Sequence, residues 1–315
     1  IDTQAIAAQE VCQNASLLEL TITVSGGIAS SSFDYQWYSN TTNNNTGGTP
    51  IAGANTNTYT PDNTTIGTLY YYVVVTQNES GCEVISNTSE VTITPGPTIV
   101  TQPVDSEVCL DGVANQLTIV TQNGVGIPTY QWYTNTTNST SGGTPIAGAT
   151  NSTYDPPTNT VGEIFYYVTI AFQGGCDLIS SEVASVVVVQ EPVAVANNPL
   201  QIVCLDGTAD DFQITLTGGL GNPSYQWYSN TTNSNTGGTL IAGATASTYN
   251  PGVLTAISLN YYYVEVTLDG VGCDTAISDV FAVEVVADPV IDTQAIAAQE
   301  VCQNASLLEL TITVS

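Results

Sequence analysis

Tyr35-Gln36-Trp37-Tyr38, followed by an Asn/Thr/Gly-rich run and Ile51-Ala52-Gly53-Ala54, is the stretch whose reading decides the fold. It returns as Tyr130-Gln131-Trp132-Tyr133 and as Tyr225-Gln226-Trp227-Tyr228, with the same Asn-Thr-Thr-Asn, Gly-Gly-Thr and Ile-Ala-Gly-Ala segments behind it. Each copy closes on a Thr-Tyr pair: Thr58-Tyr59, Thr153-Tyr154 and Thr248-Tyr249. The three tryptophans are the only ones in the chain. Self-similarity at a fixed period of about 95 residues means a tandem array of one domain type. The boundaries expected are 1–96, 97–191 and 192–288. Residues 289–315 then begin a fourth domain, because Ile291–Ser315 repeats Ile1–Ser25 without a change. Identity of that length implies block duplication, and hence a segment of a longer repeat protein.

Outward from the tryptophans the periodicity is two. Leu20, Ile22 and Val24 alternate with threonines, as do Leu117 and Ile119 in the second unit, while Phe212, Ile214 and Leu216 follow the same spacing in the third. This pattern reads as a half-buried antiparallel strand. Late aromatic and β-branched runs, Tyr70–Thr76, Phe165–Ala171 and Tyr261–Thr267, form another strand. Glu265 sets its phase: Tyr262, Val264 and Val266 face in, as do Tyr71, Val73 and Val75. Closing strands are expected at Glu90–Thr94, Val183–Val189 and Val280–Val286. Short strands separated by Gly, Pro and Asn clusters predict an all-β sandwich.

Composition removes whole classes of function. The chain has no Lys, Arg or His and a formal net charge of −28. Nucleic-acid binding needs cations to displace counterions from phosphates, so it is excluded. Attraction to anionic membranes is excluded on the same ground, and no apolar run in this segment is long enough to insert into a bilayer. Without His or Lys there is no ordinary general base or Schiff-base amine. The adjacent carboxylates Asp210-Asp211 have no counterpart in the other units. The expectation is a non-enzyme with no resident cofactor.

A strand B, a core Trp on strand C and a Tyr two residues before an inward position on strand F resemble an immunoglobulin-type sandwich. Cys12, a Gly-rich bend, Tyr-Gln-Trp-Tyr, Ile-Ala-Gly-Ala, Thr-Tyr, Tyr-Tyr-Val and Gly81-Cys82 together resemble the Ig-like repeats of giant cell-surface adhesins of the Bacteroidota, gliding-motility adhesins among them. The resemblance covers all three units. It implies tandem Ig-like β-sandwich domains joined end to end in an extended rod, as part of an extracellular adhesin filament or stalk for surface attachment or gliding. The alternative is a carbohydrate-binding or spacer array of a secreted multidomain enzyme. Proline-bearing linkers, Pro95-Gly96-Pro97, Glu191-Pro192 and Asp288-Pro289, fit stiff joints.

The cysteines fall two to a unit: Cys12 and Cys82, Cys109 and Cys176, Cys204 and Cys273, with Cys302 repeating Cys12. Regular pairs imply disulfides and an oxidising location. Two connectivities are open. Bridges within each domain would be Cys12–Cys82, Cys109–Cys176 and Cys204–Cys273. An Ig topology, however, puts the A–B and F–G turns at opposite ends of a sandwich, roughly 20 Å apart, whereas a bridge needs Cα atoms within about 7 Å. Bridges across the joints, Cys12–Cys176 and Cys109–Cys273, are the other reading.

Two further features are candidates for contact with other molecules. Asp105, Glu107, Asp111, Glu191, Asp206 and Asp288 gather near the joints and supply oxygen ligands of the kind calcium takes; the competing reading is a solvated acidic surface. Tyr38 with Tyr72, Tyr133 with Tyr167, and Tyr228 with Tyr263 point away from the core on one sheet, where they suit glycan stacking, attachment to abiotic surfaces or packing against copies of the same chain. The competing reading is a stabilising cross-strand pair. Asn40, Asn44, Asn135, Asn138 and Asn230 open Asn-x-Ser/Thr sequons that matter only if the host glycosylates them.

Overall fold

The computed structural model describes residues 1–28 and 32–315. Strands account for the regular structure throughout. In the first repeat they are β1 (Ala8–Cys12), β2 (Leu20–Thr21), β3 (Phe33–Asn40), β4 (Thr49–Pro50), β5 (Thr58–Tyr59), β6 (Gly67–Gln77), β7 (Glu83–Ile85) and β8 (Ser89–Thr94). One sheet runs β1-β8-β6-β3-β4, with β7 also pairing β6. Facing it, β2 pairs β5, and an isolated bridge joins Thr3 to Thr23.

The core forms where the two alternating patterns meet. Leu20, Ile22, Trp37 and Val73 are fully buried, and Val75, Val91 and Ile93 nearly so. In the β3–β6 register Trp37 stands opposite Val73 and Tyr35 opposite Val75, so one sheet face delivers all of them inward. Equivalent clusters lie around Trp132 in the second repeat and Trp227 in the third. Each buried side chain of this size contributes about 1.5–3 kcal/mol relative to exposure.

The opening sequence stretch is the hub of this core. Trp37 donates its ring N–H to Thr56 O at 2.9 Å and its backbone N–H to Ala54 O at 3.0 Å, while Ile51 N donates back to Trp37 O. Gln36 Nε2 donates to Ile51 O, which fastens the Ile-Ala-Gly-Ala turn from the other side of the strand. Tyr59 then stacks on Trp37, with ring centroids 5.9 Å apart. The same bonds recur from Trp132 to Asn151 O and from Trp227 to Ala246 O.

The strand carrying Leu20, Ile22 and Val24 is shorter than its alternation predicts. Its ladder with β5 covers only Leu20 opposite Tyr59 and Thr21 opposite Thr58; beyond Thr21 a single bond continues, from Ile22 N to Asn57 O at 3.0 Å, and Ile22 stays buried. In the third repeat Phe212–Thr217 gains a second partner, Val193–Asn197, and runs its full length.

By spatial contact the chain divides into two compact units, and their limits do not follow the repeats. One comprises Ile1–Ser106, Ala114–Pro156 and Glu163–Val187; the other Glu107–Val113, Pro157–Gly162 and Val188–Ser315. The turn carrying Cys109 thus belongs with the third repeat. In the tail Thr293 pairs with Thr313, as Thr3 pairs with Thr23, but Leu310 and Ile312 are exposed where their identical counterparts Leu20 and Ile22 are buried.

Candidate functional site

The first strand decides where the cysteines meet. β1 runs parallel to β8, with Cys12 opposite Thr94, so Cys12 sits where the chain leaves the repeat through Pro95. Cys82 lies at the far end of the sheet, where Gln77 N donates to Cys82 O and Gln77 pairs with Phe33. The six residues of β8 alone separate the two ends by about 20 Å. A bridge within the repeat is therefore out of reach.

In the first unit Cys12 is bonded to Cys176, with Cα atoms 5.0 Å apart. Cys12 N also donates to Gly174 O at 3.0 Å, and Val125 packs into the first repeat's core. Gly124 N reaches Pro95 O, and a Cβ on Gly175 would stand 2.8 Å from the Ala15 Cβ. In the second unit Cys109 is bonded to Cys273 with Cα atoms 4.9 Å apart, and Cys109 N donates to Val271 O. There Gly112 lies against Gly272, where a Cβ on Gly112 would stand 3.0 Å from the Gly272 Cα. Glycine is required at such approaches because any side chain would hold the backbones apart. Cys12 is 2 % exposed and Cys109 0 %, whereas Cys82, Cys204 and Cys302 are exposed free thiols.

The carboxylates near the joints are dispersed rather than gathered at one point. Among the described residues no three Asp, Glu, His or Cys side chains come together as metal ligands. Asp105 Oδ1 accepts from Ser185 N at 2.7 Å, and Glu191 Oε2 accepts from Asp274 N at 2.8 Å, so both serve the backbone. Asp111 and Asp206 have φ of 61° and 60°, and the same turn position in the first repeat and the tail is Asn14 and Asn304, with φ of 68° and 71°. What that position selects is tolerance of a left-handed backbone, which Asn and Asp share, and not charge. Glu107 and Asp288 are exposed and join no cluster.

The outward tyrosines need a correction. Tyr72, Tyr167 and Tyr263 are only 2–3 % exposed. The β3–β4 hairpin folds over them: Gly48 N donates to Tyr72 Oη and Gly238 N to Tyr263 Oη, while a Cβ on Gly143 would stand 2.8 Å from Tyr167 Oη. They are closed to any ligand. Tyr38, Tyr133 and Tyr228 remain half-exposed and stack flat on these buried partners, with centroids 4.9–5.1 Å apart and planes within 5°. Tyr228 Oη also donates to Glu265 Oε2 at 3.0 Å, a bond that raises its pKa. Asn40, Asn135 and Asn230 spend their side-chain amides on their own hairpins, through bonds to Asn44 O, Ser139 O and Ser234 O.

One recurrent group escaped the sequence reading. Ser86, Ser181 and Ser278 are buried serines at the interruption between β7 and β8 and its equivalents. Each hydroxyl accepts from the backbone N–H beside the core Trp strand: Val73, Val168 and Val264, at 3.0–3.1 Å. The signal was the recurrence of Ser at about the repeat period, hidden among many other serines.

Sandwiches of this strand order, arranged in tandem, define an array of Ig-like domains. The chain belongs to the family described as Domain of unknown function (DUF8696), which matches residues 2–95, 99–190 and 194–287. No curated protein matches it. Solved structures similar in fold include three N-terminal domains of the Highly Immunogenic Outer Capsid protein of bacteriophage RB49, at 13 % identity and TM-score 0.42, covering 88 % of this chain and 96 % of that one. The titin I-band fragment I67–I69 is similar at 13 % identity and TM-score 0.45, over 91 % and 97 % of the two chains. Drosophila OTK extracellular domains 3–5 are similar at 15 % identity and TM-score 0.34, over 91 % and 96 %.

Proposed function

We propose that this chain is a stretch of a long extracellular adhesin thread carried on a cell surface, where it serves attachment or gliding. The observation that carries the reading is the cysteine pattern: every repeat offers one cysteine at each end of its main sheet, and the bridges formed join Cys12 to Cys176 and Cys109 to Cys273. Disulfides form and persist in oxidising compartments, which supports a location outside the cytoplasm. The unchanged repeat of residues 1–25 at 291–315 supports a long array of interchangeable parts. A net charge of −28 with no cationic side chain keeps the thread soluble. Glycans, abiotic surfaces and other copies of the thread are the partners this reading expects, with the half-exposed Tyr38, Tyr133 and Tyr228 as the contact points. Gold labelling of intact source cells with antibodies to residues 1–315 tests it. Label on surface filaments is the expected result; label confined to the cell interior, or on a secreted catalytic polypeptide, overturns it.

A further inference from the structure

Each bridge joins cysteines 164 residues apart, and the two spans overlap, with Cys109 inside the first and Cys176 inside the second. From this overlap we infer that the bridges supply a second covalent route past the linkers Pro95-Gly96-Pro97 and Glu191-Pro192, so that the chain stays in one piece after its backbone is cut anywhere between Cys12 and Cys273. A break between residues 12 and 109 leaves the two parts joined through Cys12–Cys176. One between 176 and 273 leaves them joined through Cys109–Cys273. A break between 109 and 176 leaves both bridges holding. Bridges confined within repeats would protect only the repeats' interiors and leave Pro95-Gly96-Pro97 and Glu191-Pro192 as single strands. Of these linker residues Gly96 is exposed, Pro95 and Glu191 are half-buried and Pro97 and Pro192 buried, and a cut at either joint is one that the observed connectivity spans.

The same route limits stretching. With both bridges intact, the shortest covalent path from Ile1 to Ser315 runs 1–12, 176–109 and 273–315. That is about 120 residues, or roughly 400 Å fully extended, against about 1,100 Å for the unbridged chain. Cys204 holds in the third repeat the place of Cys12 and Cys109 but is exposed, and Cys82 holds the place of Cys176 and Cys273. In a longer array, an extension that rests on the thread reading, these two sites continue the route from block to block.

The test is a site-specific protease sequence inserted between Gly96 and Pro97 of the oxidised chain. After cleavage the denatured protein runs as one species without reductant and as two with it. In the same background Cys12→Ser releases residues 1–96 without reductant, and Cys82→Ser changes nothing. Separation of the parent's halves without reductant overturns the inference and leaves the thread reading untouched, just as interior labelling of cells would remove the thread and leave the route. Should the insertion block oxidation, non-reducing peptide mapping of the unaltered chain decides: Cys12 linked to Cys176 supports the route, and Cys12 linked to Cys82, or unlinked, overturns it.

Discussion

Replacing Ser181 with alanine removes a hydroxyl that accepts from Val168 N at 3.0 Å and donates to Glu182 O at 2.7 Å. Ser181 is 3 % exposed and Val168 0 %, so water has little access to replace it. Orphaning a buried N–H costs about 1–3 kcal/mol, and losing the donated bond about 1 kcal/mol more. The expected loss is about 2–4 kcal/mol, a large share of the roughly 5–15 kcal/mol that holds a domain folded. Hydrogen exchange reads it at the site: the Val168 amide should exchange about 30- to 800-fold faster, since each 1.4 kcal/mol is tenfold. Calorimetry of the oxidised chain should show one transition moved down by about 4–8 °C per kcal/mol. Ser86→Ala and Ser278→Ala should do the same beside Val73 and Val264. Ser16→Ala, on an exposed turn, should stay within about 0.5 kcal/mol. If all three buried-serine variants match Ser16→Ala, the hydroxyl is not what satisfies the interrupted strand, and the reasoning fails.

Other outcomes follow from the same geometry. Burial pushes the phenols of Tyr71 and Tyr166 up to about 12. Their folded pKa lies above the unfolded value near 10, so the stability they contribute is whole below about pH 10 and is lost as pH rises toward 12; tyrosinate absorbance should appear together with loss of near-ultraviolet circular dichroism. The Thr64 hydroxyl is the main group holding the Asp62 carboxyl below its ordinary pKa, and Thr64→Val should return it toward that value in a carbon-detected NMR titration. Gly272→Ala places a Cβ onto Gly112 at a positive φ of 76°. It should cost about 1–3 kcal/mol and slow closure of the Cys109–Cys273 bridge, measured by quenched thiol trapping. With 28 carboxylates and no cationic side chain, the net charge falls toward zero as pH drops through the carboxylate range and never turns appreciably positive, so solubility should fall below about pH 4 and stay low on further acidification, measured by turbidity against pH.

How much the sequence disclosed depends on whether a feature is set locally. The Trp strand and its inward Tyr, Val and Leu neighbours were legible because period-two alternation records a single buried face, and Glu265 fixed the phase. The burial of Tyr72, Tyr167 and Tyr263 was not, because they do point away from the core. What covers them is the β3–β4 hairpin, whose path across the sheet depends on Gly48 and its equivalents lying flat against the rings. Asp111 and Asp206 were open to reading as ligands or as solvated charge, and the left-handed φ they share with Asn14 and Asn304 appears only in coordinates. The cysteines divided two readings that composition alone could not separate. The deciding fact is the parallel pairing of β1 with β8, which no alternation pattern reveals.

The placement of one cysteine at each end of a repeat has a consequence for how such a gene changes length. A repeat that bonded its own two cysteines would carry its bridge wherever it was copied. Here each bridge is shared by neighbours, and yet the ends are alike: Cys12, Cys109 and Cys204 occupy one position, and Cys82, Cys176 and Cys273 the other. Recombination that inserts or deletes whole repeats therefore brings a complementary pair together at every new junction, and no thiol in the interior is left without a mate. A crossover within a repeat keeps both positions when it joins like points of two repeats, and loses them only when it joins them out of register. Thiol pairing is therefore kept when an array grows or contracts in whole-repeat steps, the kind of step with which the identity of residues 291–315 to residues 1–25 is consistent.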